Sequence, residues 1–75
     1  MTTNEELEGR LDVHFMGIVN MWRTGMTDQQ LEMLSDLTQL PEWLILRVGR
    51  DLHALTPAQQ KRYDDAVAQL GQEAT

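Results

Sequence analysis

Cysteine is absent from this chain, which removes disulfides, thiolate zinc sites and iron–sulfur clusters and fits a reducing cytoplasm. No run of about 18 apolar residues exists to span a membrane. The first ten residues, MTTNEELEGR, are acidic and polar rather than basic and then apolar, so they do not read as a secretion signal. Basic residues are scarce, and the net charge is −6. That balance argues against broad electrostatic affinity for nucleic acid or anionic lipid and favours approach to a basic protein surface. Serine occurs once, at Ser35, and histidine twice, at His14 and His53. With no glycine-rich phosphate loop, no Ser/His pair and no HExxH pattern, nothing points to catalysis or to a bound cofactor or metal.

What the sequence does contain is punctuation for helices. Thr3 precedes Glu6, Thr27 precedes Gln30 and Thr56 precedes Gln59, each by three residues and each ahead of an apolar stretch. This is the capping-box spacing: the threonine hydroxyl accepts from the backbone N–H three residues on, and the Glu or Gln side chain reaches back to the threonine N–H. Pro41 supplies a fourth helix start. The expectation is one small all-α domain over residues 1–75, a compact bundle of four short helices at about 4–24, 28–38, 41–54 and 57–70. Residues 1–3 and 72–75 are expected to be loose. A strand over 43–48 is the rival reading, and the 44/48/52 spacing favours helix.

Helical phase then divides inside from outside. On the first helix Leu7, Leu11, His14, Phe15, Ile18, Met21 and Trp22 share a face, the expected core stripe, with Gly25 as the stop. Val13, Met16 and Val19 project the other way and are expected to mediate self-association into a homodimer. Domains this small bury only about 60% of the surface their unfolded chains expose, so help from a second chain is expected. The second helix should turn Leu31, Leu34 and Leu37 inward, with Met26 and Leu31 as a hydrophobic staple. The third should bury Leu44, Val48 and Leu52, and the fourth Ala58, Tyr63, Ala66, Val67 and Leu70.

Each histidine follows an aspartate by two residues, Asp12 to His14 and Asp51 to His53. Positions i and i+2 of a helix do not face each other, so neither pair chelates unaided; His14 is expected at the core boundary. The carboxylates Glu5, Glu6, Glu8 and Asp28 fall in or near first helical turns, where the helix dipole favours negative charge. Acidic residues are concentrated before residue 47, so Glu5, Glu8, Asp12, Asp28, Glu32 and Asp36 are expected to form one steering surface toward a basic protein partner. Trp43, on the flank away from Leu44, Val48 and Leu52, is the expected apolar anchor.

The function these features imply is a cytoplasmic regulator or inhibitor that binds and occludes another protein. Acidic, cysteine-free helical proteins of this length are common among bacterial and phage modulators, an association rather than a physical deduction. The alternative is a helix-turn-helix DNA-binding regulator over residues 27–52, with Arg47 and Arg50 on the recognition helix. Against it stand the acidic flanks, the two-arginine footprint and the apolar run Trp43, Leu44, Ile45 and Leu46 where base-reading side chains belong.

Overall fold

In a computed structural model, residues 4–73 are described, and among them the chain is helical with no strand: α1 (Asn4–Thr24), α2 (Asp28–Thr38), α3 (Glu42–Asp51) and α4 (Pro57–Glu73). No helix of the described residues is long and apolar enough to cross a membrane. The Thr3 cap and the loose start expected at 1–3 lie outside the described residues, as do 74–75; of the loose tail expected at 72–75, the first two residues instead belong to α4.

Both testable capping boxes form. The Thr27 N–H donates to Gln30 Oε1 at 2.9 Å and Gln30 N–H to Thr27 Oγ1 at 3.2 Å; Thr56 and Gln59 repeat the pair at the same distances. Gly25, with φ of 101°, ends α1 as its tolerance of the left-handed region suggests. The helix ends without glycine are less legible. Gln39 closes α2 at φ 56°, and His53 closes α3 at φ 56°. After α3 the His53 N–H donates to the Arg50 carbonyl at 3.0 Å and the Ala54 N–H to the Gly49 carbonyl at 2.8 Å, which is a Schellman closure. α3 is therefore shorter than the expected 41–54, and Pro41 caps it in extended conformation (φ −65°, ψ 146°) rather than beginning it. α4 instead runs longer than expected, continuing through Gly71, because one helical glycine costs only about 1 kcal/mol.

α3 is the centre of the packing, in contact with each of the other three helices. Leu44, Ile45, Leu46, Val48 and Gly49 are all buried, so the apolar run that encircles α3 is matched by neighbours on several sides. Leu11, Ile18, Val19 and Trp22 of α1, Leu31 of α2, Tyr63 of α4 and the linker residues Met26 and Leu40 complete the core. Trp22 fixes how α1 meets α3: its Nε1–H donates to the Ile45 carbonyl at 3.0 Å, and its ring lies where a Cβ on Gly49 would stand, 2.6 Å from Cε2. Gln59 ties α4 to the α1–α2 linker, donating from Nε2 to the Met26 carbonyl at 2.9 Å while its Oε1 caps Thr56.

Several expected faces are corrected. Val19 is buried (5% exposed), while His14 and Phe15 are exposed. The covered face of α1 is rotated toward Val19 relative to the stripe centred on Leu11 and Ile18. On α2, Leu37 is 77% exposed, since steps of three residues drift by 60° each and carry it about 120° from Leu31. Thr38, seven residues after Leu31, takes the inward phase. On α3, Leu52 has left the helix and is partly exposed. On α4, Ala58, Val67 and Leu70 are exposed at least in part, and Gln59 and Tyr63 carry the inward face.

Candidate functional site

The six carboxylates expected to form one surface divide into two groups. Glu5, Glu8 and Asp12 are exposed and recur at i, i+3 and i+7 on α1, which places them on one strip. Met16, 67% exposed, continues that strip one turn on. Beside it lies a notch of ≈ 170 Å³ lined by Leu7, Glu8, Trp43, Leu44 and Arg47. Trp43 is half-buried and packed against the core, so it forms a wall of the notch rather than a free-standing anchor.

The second group faces elsewhere. Arg62 of α4 donates to Glu42 Oε1 at 2.6 Å and Oε2 at 3.2 Å, and its guanidinium also lies 3.6 Å from Glu32 Oε1 and 4.0 Å from Asp28 Oδ1. One arginine thus joins α2, α3 and α4 and partly neutralises Asp28 and Glu32. Asp36 adjoins this group in a depression with Glu32, Ser35 and Glu42. Exposed ion pairs contribute about 0–1 kcal/mol each, so the cluster orients helices more than it stabilises them.

The expected self-association set does not form a continuous exposed patch. Val13 (80% exposed) and Met16 are open, whereas Val19 belongs to the core. A different apolar surface appears that helix-by-helix phase did not reveal. α1 and α2 run antiparallel, because Arg10 Nη1 donates to the Gln39 carbonyl at 3.2 Å while Met21 adjoins Gln30 and Leu34. Between them is a groove of ≈ 250 Å³ lined by Met21, Gln30, Met33, Leu34 and Leu37. The available signal was Met33 beside Leu37 on α2, legible only once the inward phase of that helix is known.

The two arginines of the helix-turn-helix alternative lie on the outward strip of α3. Arg47 is half-buried in the notch with Glu8, and the Arg50 guanidinium stands 5.5 Å from the centroid of the Tyr63 ring. His53 lines an open depression of ≈ 600 Å³ with Arg50, Asp51, Leu55 and Gln60. Among the described residues no three or more His, Cys, Asp or Glu side chains gather as metal ligands would. Comparison of the chain with protein-family models, with curated proteins and with solved structures finds no match in any of the three.

Proposed function

We propose that this protein is a small cytoplasmic interaction module, a regulator or inhibitor that occludes a basic region of another protein, and that it acts as a homodimer. The observation that carries the reading is the strip Glu5, Glu8, Asp12 and Met16 beside the notch walled by Trp43. Carboxylates at a rim steer encounter and select partners by charge, while Leu7, Trp43 and Leu44 give the notch apolar surface beside Glu8 and Arg47. Asp28 and Glu32, engaged with Arg62, belong to the scaffold in this reading, which narrows the partner surface to α1 and the start of α3. The type of protein, a bacterial or phage modulator, rests on composition and size.

A second reading, helix-turn-helix DNA binding, has one observation in its favour. Burial of Leu44, Ile45 and Leu46 leaves Trp43, Arg47, Arg50 and Asp51 outward on α3, so the apolar run is not what a groove would meet. Arg47 beside Glu8, Arg50 stacked on Tyr63 and the net charge of −6 weigh against it. Affinity capture from the native host should identify a partner that rebinds when both proteins are purified. Reversal of Glu5, Glu8 and Asp12 to Lys should then slow association and flatten its salt dependence. Salt-sensitive, specific duplex binding lost on Arg47→Ala and Arg50→Ala would overturn this reading in favour of the second.

A further inference from the structure

We infer that the outer face of the α1–α2 hairpin is a two-fold contact with a second copy of this chain, each copy seating its Met33–Leu37 ridge in the other's groove. The inference rests on the dimeric part of the function proposed above and replaces the contact surface expected from sequence.

Charge selects the occupant. The notch by Trp43 carries Glu8 and Arg47, the depression by Arg62 carries Glu32, Asp36 and Glu42, and the depression at the end of α3 carries Arg50 and Asp51. The groove between α1 and α2 has no charged residue in its lining. A basic partner gains nothing there. Two copies of a chain of net charge −6 repel over most of their surfaces, and they can meet closely where carboxylates are missing from both sides. An uncharged groove fits an uncharged ridge, and this chain carries both side by side, as an isologous contact requires.

The shape agrees. Met33 and Leu37, 56% and 77% exposed, are one turn apart and form a ridge along α2. On α1 Met21 forms the groove wall, and Gly17 and Val13 precede it at intervals of four residues on the same side of the helix. A Cβ at Gly17 would find no atom within 4 Å, so that wall is low and open to a neighbouring helix. The face is two helices wide, about 20 Å, and as long as α2, about 16 Å. An apolar patch on the order of 300–600 Å² matches the largest patch of an ordinary monomer, which is often functional, and lies below the ~800 Å² per partner of a standard interface. The contact is accordingly a weak one.

Sedimentation of the full chain from about 10 μM to about 1 mM tests this. The wild type should pass from monomer to dimer, and Leu37→Glu and Met33→Glu should each raise the dissociation constant at least about tenfold. Both positions are exposed, so circular dichroism should show unchanged helix content. Met16→Glu, on the acidic strip, should leave dimerisation unchanged. A wild type that stays monomeric at the highest concentration, groove variants that dimerise normally, or dimer loss on Met16→Glu would each overturn the inference. Groove variants that lose a purified protein partner while no dimer forms would also overturn it, assigning the groove to that partner. Failure to bind any basic partner, with the dimer intact, would instead count only against the regulator reading.

Discussion

α3 and the outer face of the α1–α2 hairpin are both rich in large apolar side chains, yet they occupy opposite extremes of the molecule. Leu44, Ile45 and Leu46 are buried together because three helices surround α3. Val13, Met33 and Leu37 are no less apolar and stand open, because the hairpin has the rest of the domain on one side only. The difference is one of supply. A chain of this size cannot cover every apolar face it makes, and the face left over is where an interaction is to be sought. Substitutions that treat equivalent residues in the two regions can break or sharpen this contrast.

The largest effect is expected at Trp22. Trp22→Ala removes the ring that fills the space over Gly49 and the donor to the Ile45 carbonyl. Loss of a buried aromatic costs about 3–5 kcal/mol, a large share of the 5–15 kcal/mol by which domains are ordinarily stable. Urea denaturation followed by circular dichroism measures it. A loss below about 1.5 kcal/mol would mean that the surroundings of α3 are not better packed than the open face.

Gly49→Ala comes next. Alanine is favoured over glycine in a helix by about 1 kcal/mol, but here the new methyl would lie 2.6 Å from Trp22 Cε2 and 2.8 Å from Leu55 Cδ2. Overpacking typically costs about 1–3 kcal/mol, and contacts this short place Gly49 toward the upper end, for a net loss of up to about 2 kcal/mol. A melting temperature that rises would show that the Trp22 ring is free to move aside.

These two sites also mark how far the sequence could be read. The helix number, the α2 bounds and the Thr27 and Thr56 boxes follow from local signals, which is why they were legible. Gly49 gave no signal, because a glycine within a helix looks the same whether it admits an indole, as here, or faces open space, as at Gly17. The position of Val19 in the core was hidden for a related reason. Periodicity gives the average direction of a helix's apolar side, whereas the width of the covered arc depends on which helices arrive beside it. The left-handed closures at Gln39 and His53 use residues that carry no turn signature. Of the candidate site, the carboxylates of α1 were visible as a strip. The capture of Asp28 and Glu32 by Arg62, some thirty residues away in sequence, was not.

Gln59 and Gln30 form the same local device in the two regions, and their loss should not cost the same. Gln59→Ala removes a cap and leaves the Met26 carbonyl without the buried donor at 2.9 Å, for a combined loss of about 2 kcal/mol. Gln30, exposed on the hairpin, serves only its own helix start, so Gln30→Ala should cost less than about 1 kcal/mol. Thermal melts of the two variants side by side decide it. Equal losses would mean that the bond to Met26 contributes nothing beyond the cap.

An effect as modest as that of Gln30→Ala, but of opposite sign, is expected for Gly17→Ala. Gly17 and Gly49 both lie inside helices, so both substitutions gain the same propensity of about 1 kcal/mol in relieving the conformational freedom of glycine. They differ in what the methyl meets. At Gly17 nothing stands within 4 Å, and the gain is not offset. For a domain of this length 1 kcal/mol corresponds to a rise in melting temperature of roughly 4–8 °C, measured at a few micromolar so that the monomer is observed. The same methyl would raise the low wall beside the α1–α2 groove, so the variant should be more stable as a monomer and no better as a dimer. A melting temperature that falls at low concentration would mean that α1 is already covered at Gly17 within one chain. The open face would then be smaller than Val13, Met33 and Leu37 indicate, and the contrast with α3 would weaken to a difference of degree.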